Sequence, residues 1–552
     1  MKKEIIILLL LIITFLVKSQ NQSYTYPGWL NRAIFYQIYT QSFKDSNGDG
    51  IGDIPGIIEK LDYFTEIGFN ALWINPCFES TFRDAGYDIT NYYQVAPRYG
   101  TNEDVKQLIN EAHKKGIKIC LDLVAGHTSD QHDWFKQSQK RVKNDFSDRY
   151  IWTNSKETKP ENFVSGNFQR NGTYLKNYFD CQPALNYGYA NPNPKNKWEQ
   201  PVTATGPQKT KEELKNIITF WMDMGADGFR VDMAYSVIKN DKDFSVTFKF
   251  WQEIRIWFHS KYPNGCLIAE WGCPELAINA GFMIDFMMHY WTPGYPSLFF
   301  NQEGTVTRND CFFSIEGSGS PVEFIKYYTE QMEKVEGKGF VSIPSANHDF
   351  QRPASGTRNT ENQLKVLMTF LLTLKGVPFI YYGDEIGMRY LSYAPEKEGS
   401  GKRSGSSTPM QWNANANAGF SISEENDLYL PIDTNILRPN VQFQLSNPSS
   451  LLNHVRKLIE IRQSNEALGN TGEFIPLYAK ENKYPLVFLR KKNNSQFLIV
   501  INPSGKQAVA EFYMENISNL TPVLVDKANY IKTGKNIKLF IDQVSYAIFE
   551  IQ

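Results

Sequence analysis

The sequence predicts an α/β protein: a (β/α)8 TIM barrel with a small inserted domain after strand three and a C-terminal antiparallel β-sandwich. Three observations lead there. Short apolar runs alternate with amphipathic stretches along most of the chain, one long polar and aromatic segment interrupts that rhythm, and the last part changes to closely spaced alternating strands. A chain of 552 residues is also too long for one core, so two or three domains are expected.

The first run is IFYQIY (34–39), followed by a helical stretch, IPGIIEKLDYFTEIG, that ends at Gly68. ALWINP (71–76), the helical NEDVKQLINEAHKKG and IKICLDLV (117–124) continue the series. Asn or Asp at the helix starts and Gly at the stops mark parallel βα units. From 129 to 207 the chain is rich in Asn, Pro and aromatics without a strong period. A structureless loop of that length does not suit a compact domain, so 129–207 is read as an inserted domain. The alternation resumes with TKEELKNIITFWMDMGADGFRVD and runs through CLIAEW, FMIDF, VSIPSA and FIYYGDE. That makes eight strands and a barrel built from 24–128 and 208–468. Over 469–552, EFIPLYA, PLVFLRKK, QFLIVINP, AVAEFYM and SYAIFEI are short strands between Asn, Gly and Lys turns, the pattern of a sandwich.

At the N-terminus, Met1-Lys2-Lys3 precedes an apolar run from Ile5 to Val17 broken only by Thr14, with Ser19 as a small residue near a cleavage point. The run is shorter than the ~20 residues of a spanning helix, so 1–20 is read as a signal peptide and the mature chain as secreted and free of the membrane. A net charge of −1 gives no electrostatic case for nucleic acid or anionic lipid. Aromatic content of 14% mostly serves packing, and a surplus suits carbohydrate, whose C–H faces lie on rings. A monomer is expected. Cys77, Cys120, Cys181, Cys266, Cys273 and Cys311 show no metal-ligand spacing, and Cys120 and Cys266, inside strands, read as small buried hydrophobes. Sequons stand at Asn171, Asn493 or Asn494, Asn516 and Asn519, so a glycoprotein is expected where the host glycosylates exported chains.

Three acids follow apolar runs: Asp232 in GADGFRVDMA, Glu270 in GCLIAEW and Asp349 in FVSIPSANHDF. An ionised carboxylate is costly to hide in such surroundings, and in a closed parallel barrel the strand ends share one rim. One such acid reads as a structural cap. Three, two of them beside Arg230 and His348, point to catalysis.

With those residues in view, the chain resembles glycoside hydrolase family 13, the α-amylase and α-glucosidase family, closest in motif to oligo-1,6-glucosidase-like and α-glucosidase-like members. The resemblance rests on DLVAGHTS (122–129), GFRVDMA (228–234), IAEW (268–271) and SANHD (345–349) in order, with QPALN (182–186), GVPFIYYGDEIGM (376–388) and TPMQW (408–412). It implies a retaining hydrolase of α-glucosidic bonds in maltooligosaccharides or starch fragments. Asp232 corresponds to the nucleophile, Glu270 to the general acid/base and Asp349 to the third acid. Arg230 would hold Asp232 ionised, being beside that acid and not the other in sequence. His127 and His348 would donate to sugar hydroxyls, with Tyr87 stacking beneath the ring. Asp84 and Arg403 resemble the pair that closes the pocket in exo-acting members.

Two departures bear on this. Gly126 stands where many relatives have an Asn that ligates calcium, and Met233-Ala234-Tyr235 lacks the Lys-His pair of many endo-acting α-amylases. A separate loop, DSNGDGIGD (45–53), offers Asp45, Asn47, Asp49, the Ile51 carbonyl and Asp53. It resembles the metal loop of oligo-1,6-glucosidase-like members and implies a structural Ca2+, or Mg2+. Three alternatives stay open: an endo-acting α-amylase, a transglycosylase or isomerase of the same family, and a non-catalytic ectodomain like that of a transporter heavy chain, which is expected to lose catalytic acids.

Overall fold

The computed structural model describes residues 26–288, 294–299, 302–303, 306–307, 310–515 and 518–552. The expected signal peptide and the Asn516 sequon lie outside these residues.

Eight parallel strands form the barrel: β1 (Phe35–Ile38), β2 (Ala71–Ile74), β3 (Lys118–Val124), β4 (Gly228–Asp232), β5 (Cys266–Ala269), β6 (Ile284–Phe286), β7 (Phe340–Ser342) and β8 (Phe379–Tyr381). They pair in sequence order, and β8 pairs back onto β1 with Phe35 opposite Phe379. Between β7 and β8, Val377 N–H to Val341 C=O (3.2 Å) and Ser345 N–H to Phe379 C=O (2.9 Å) close the ring. Every strand residue but Lys118 is buried, which is why these segments read as continuous apolar runs and not as alternating ones. At Gly228 a Cβ would lie 2.1 Å from the Cys266 carbonyl oxygen, so β4 approaches β5 as only glycine allows.

The outer helices are α1 (Leu61–Ile67), α2 (Asn102–Lys114), α3 (Thr205–Asp223), α4 (Ser245–Lys261), α5 (Pro274–Ala280), α6 (Val322–Val335), α7 (Glu361–Thr373) and α8 (Leu451–Ser464). Their starts are chemically marked: Thr101 with Asp104 on α2, and Thr360 with Gln363 on α7, form reciprocal capping boxes. In α2 the buried Val105, Leu108, Ile109 and Ala112 fall at the 3–4 spacing of one helix face.

Excursions leave the barrel at its strand ends, and the one after β8, from 382 to 450, carries Arg403. After β2, a hairpin of Phe78–Ser80 and Ile89–Val95 carries Asp84 and Tyr87 on its connection. After β3, the chain from 125 to 204 folds around Phe135, Trp152, Phe168 and Tyr174, with a helix Asp133–Ser138 and the short pair Phe163–Val164 and Tyr174–Leu175.

The C-terminal part contains β9 (Glu473–Tyr478), β10 (Leu486–Lys492), β11 (Ser495–Asn502), β12 (Ala508–Tyr513), β13 (Leu520–Val525), β14 (Ala528–Thr533), β15 (Asn536–Ile541) and β16 (Ser545–Ile551). They form two antiparallel sheets, β9-β10-β11-β16-β13 and β12-β15-β14, around Leu498, Val500, Leu539 and Phe549. Three of these strands, β13 to β15, are additions to the sequence reading. Pro522 sits in one, and Lys and Asn facing solvent dilute the others.

Two buried arginines join this sandwich to the barrel. Arg462 of α8 donates to the carbonyls of Leu372 (2.8 Å), Leu374 (2.8 Å) and Gly376 (2.7 Å). Arg490 of β10 donates to Thr373 C=O and to Gly469 C=O (2.7 Å). Together they occupy the carbonyl end of α7, where cations are favoured.

Candidate active site

The barrel rim holds a cavity of about 520 Å³, and Asp84, Tyr87, His127, Asp232, Glu270, His348, Asp349 and Arg403 all line it. Arg230 lies just beneath, 1% exposed. Arg230 and Asp232 are two apart on β4, so both project to one face. Asp232 is the last residue of its strand, and Glu270 follows β5 directly. Asp349 stands on the loop after β7, as an acid past its apolar run, but β7 itself stops at Ser342. The apolar VSIPSA run overstated that strand.

Arg230 ties the acids together. Its Nη1 donates to Asp122 Oδ1 (3.0 Å) and Asp232 Oδ1 (3.0 Å), and its Nη2 contacts Glu270 Oε1 (2.9 Å). This corrects the expectation that the guanidinium singles out Asp232: it serves both carboxyls, one per terminal nitrogen. The second oxygen of Glu270 accepts the Met233 N–H at 2.8 Å, from a residue held in the left-handed conformation (φ 42°). Burial pushes the Asp232 carboxyl well up, the nearby Glu270 charge adds to this, and Arg230 opposes it. Burial and the mutual repulsion of the two carboxyls therefore disfavour ionising both at once. Behind Glu270, the buried Asp285 accepts the N–H groups of Trp271 (2.9 Å) and Gly272 (3.3 Å) and fixes that turn.

Asp349 is the opposite case. Burial works to raise it, but the Arg403 guanidinium, by charge and hydrogen bond, and Arg230 behind it pull it below the usual carboxylate range. Arg403 Nη1 bonds Asp349 Oδ1 (2.8 Å) and Nη2 bonds Asp84 Oδ1 (2.8 Å), while Gln182 Nε2 takes the other Asp84 oxygen (2.7 Å). Both clasp residues, Asp84 and Arg403, belong to the cavity lining. His127 is pushed down to about 3 by burial, so its ring is neutral. Asn177 meets its Nδ1 at 3.1 Å, so the ring proton is on the buried Nε2, which faces the Tyr87 backbone.

Several contributors were not read from sequence. Asp122 lies under the floor of the cavity, accepting from Trp73 Nε1 (3.1 Å) and the Tyr87 hydroxyl (3.0 Å). Its signal was a lone carboxylate inside IKICLDLV. Tyr178, Phe179, Tyr235 and Phe350 add aromatic rings to the lining. Tyr178 and Phe179 sit in the aperiodic stretch, where no pattern marks them. Beside Gly126, Asn177 and Ser236 side chains fill the space of a Cβ, and the Lys239 ammonium bonds Asn177 Oδ1 (3.0 Å).

The 45–53 loop lies outside this lining. Asp45 Oδ1 accepts from Asn47 and Gly48 N–H, Asp49 Oδ1 from Ile51 N–H, and Asp53 from Ser46 and Gly56 N–H. The oxygens are of the hard type that suits Ca2+. Among the described residues, however, no three acidic, His or Cys side chains converge as a ligand group, and a cation has to compete with these N–H donors.

Known proteins provide an independent comparison. The family model described as "Alpha amylase, catalytic domain" matches residues 37–471. The chain is 32% identical over 547 residues to an oligo-1,6-glucosidase of Parageobacillus thermoglucosidasius, across 87% of this chain and 91% of that protein. It is 30% identical over 519 residues to a trehalose synthase/amylase of Mycolicibacterium smegmatis, across 86% and 82%. Among solved structures, an isomaltulose synthase mutant of Erwinia rhapontici in complex with sucrose superposes with a TM-score of 0.77 at 26% identity, covering 96% of this chain and all of that one. A trehalose-6-phosphate hydrolase of Bacillus licheniformis gives 0.77 at 26% identity, covering 95% of this chain.

Proposed function

Since this chain belongs to the α-amylase family of glycoside hydrolases, we propose that it is a retaining α-glucosidase that removes terminal glucose from maltooligosaccharides and starch fragments. The observation that carries the reading is the pair Asp232 and Glu270, held on one guanidinium, facing a cavity that Asp84 and Arg403 also line. Retention needs two carboxyls ~5–5.5 Å apart, a distance that two nitrogens of one guanidinium can impose.

In the first step Asp232 attacks the anomeric carbon while Glu270 gives its proton to the departing glycosidic oxygen. The C–O bond to the leaving sugar breaks as the bond to Asp232 forms. In the second step Glu270 takes a proton from water, whose oxygen attacks the same carbon and frees Asp232. Asp349, held ionised, stabilises the positive charge that develops on the sugar. With the Arg403–Asp84 ion pair as its closed end, the cavity would accept a chain end and not a chain interior.

A second reading keeps the chemistry and replaces water by a sugar hydroxyl. It is favoured by the similarity to a trehalose synthase/amylase and to an isomaltulose synthase. A timed product profile on maltose, isomaltose, trehalose, sucrose and maltoheptaose, with the anomer of released glucose followed by NMR, tests both. Early α-glucose supports the first, disaccharide isomers without glucose the second, and early maltotriose from maltoheptaose overturns both. The three acids present argue against a non-catalytic ectodomain. We further propose that the chain is secreted through residues 1–20 as a monomer, and that the 45–53 loop takes a structural Ca2+ through Asp45, Asn47, Asp49, Asp53 and the Ile51 carbonyl. No step of the reaction uses that ion.

A further inference from the structure

Under the cavity floor, Gln37 of β1 is 1% exposed and has no part in the steps above. Its Nε2 donates to Asn75 Oδ1 at 2.9 Å and lies 3.1 Å from His348 Nδ1. Asn75 settles which end of the Gln37 amide faces the ring. The Asn75 Nδ2 donates to the Tyr87 hydroxyl at 3.1 Å, so its Oδ1 is the acceptor and Gln37 presents N–H. A ring N–H at Nδ1 would then oppose another donor, so Nδ1 accepts and the ring proton is on Nε2.

That N–H faces the Tyr87 oxygen at 2.8 Å and Asp349 Oδ2 at 3.4 Å. Tyr87 can receive it because its own proton goes to Asp122 Oδ2, at 3.0 Å. Every donor in the chain Gln37, His348, Tyr87, Asp122 points the same way. We propose that Gln37 is a positioning residue that fixes His348 as the neutral Nε2–H tautomer and thereby turns the ring's only N–H toward Tyr87 and Asp349 on the cavity side.

Other contacts hold the ring without choosing its proton. Tyr87 stacks on it at 5.2 Å and 10°, and Trp73 meets it edge-on at 6.1 Å. The charged groups around it, Asp349 and Asp122 against Arg230 and Arg403, oppose one another, and burial favours the uncharged ring. The Gln37 amide distinguishes the two nitrogens by hydrogen-bond type at Nδ1, and the acceptor-only Asp349 carboxylate agrees with it at Nε2. Gln37 does so at a cost, since its Oε1 is buried without a partner. A buried carbonyl left unpaired is retained where the other end of the amide is needed.

The role of the donor rests on the sugar-binding reading of the site, but the tautomer is measured without substrate, so the two can fail separately. Long-range 1H–15N correlation spectra of histidine-labelled enzyme at neutral pH, with the His348 signal assigned by its loss in His348→Asn, should show the Nε2–H pattern. In Gln37→Glu a carboxylate replaces the donor at Nδ1, and the ring should move to the Nδ1–H or doubly protonated form. In Gln37→Met the preference should blur, with kcat/KM lower by about tenfold, the worth of one hydrogen bond. Gln37→Asn, a shorter amide, should recover less than half of that loss. An Nδ1–H or cationic His348 in the unsubstituted enzyme overturns the proposal whatever the variants do. So does a Gln37→Glu ring that keeps the Nε2–H pattern.

Discussion

Replacing Arg403 by Met keeps most of the stem and removes both arms of the clasp. The guanidinium is 25% exposed, and it bonds Asp84, 8% exposed, and Asp349, 29% exposed, each at 2.8 Å. Taking one partner from a fully buried pair costs about 3–5 kcal/mol. Gln182 still holds Asp84, and water reaches Asp349, which places the loss at the lower end, about 3 kcal/mol. If that grip is realised in the transition state, kcat/KM on maltose falls by roughly 10²-fold. Asp349 also loses a cation that holds its carboxyl down, so the acid limb of kcat/KM moves to higher pH. With the end of the cavity opened, the ratio of maltoheptaose to maltose activity should rise and short oligosaccharides should join glucose among early products. Initial rates on both substrates, with chromatography of the first minutes, read all three effects. A variant that keeps maltose kcat/KM within about threefold and still releases glucose alone would refute the clasp argument.

Three further outcomes are expected. Asp232→Asn should lower kcat by several powers of ten with an unchanged circular dichroism spectrum, while Glu270→Gln should spare aryl glucosides with acidic phenols, which leave without a proton. Rates on the two substrate classes separate these roles, and equal losses on both would contradict the Glu270 assignment. Burial raises Asp285 to about 8, with the Trp271 N–H opposing. The folded state therefore binds the extra proton from about pH 4, the unfolded carboxyl, to about 8, so stability should fall as pH rises through that window. Melting scans from pH 5 to 9 should show a shallower decline for Asp285→Asn, and identical slopes would count against it. Removal of divalent ions with a chelator should lower the melting temperature before it affects initial rates at moderate temperature, and a metal-free preparation melting unchanged would dismiss the loop as a cation site.

The barrel was legible because strands buried on both faces leave unbroken apolar runs, and residues such as Phe35, Leu72 and Ile268 need no partner to be recognised. Strand ends were less so. VSIPSA stays apolar past Ser342 because Ile343 and Ala346 are buried, while only Ser345 still bonds the neighbouring strand. In the sandwich, β14 shows solvent most of its side chains, so Ala528–Thr533 carries no hydrophobic signature. In the site, motif spacing marked residue types but not who touches whom. The Arg230 contact with Glu270 spans two strands, the Gln182 grip on Asp84 spans two excursions, and Gln37 looked like an ordinary polar residue in IFYQIY.

The paired arginines at the carbonyl end of α7 have a thermodynamic consequence. Arg490 belongs to the sandwich and Arg462 to the barrel, yet both satisfy the same helix terminus, and Asn470 between them anchors to the Leu30 (2.7 Å) and Ala33 (2.9 Å) carbonyls at the chain's entry into β1. Detaching the sandwich strips acceptors of their donors inside a dry interface, a penalty that falls on the barrel itself. The molecule should therefore melt as one cooperative unit, and a chain ended at 468 leaves the Thr373, Leu30 and Ala33 carbonyls without these donors.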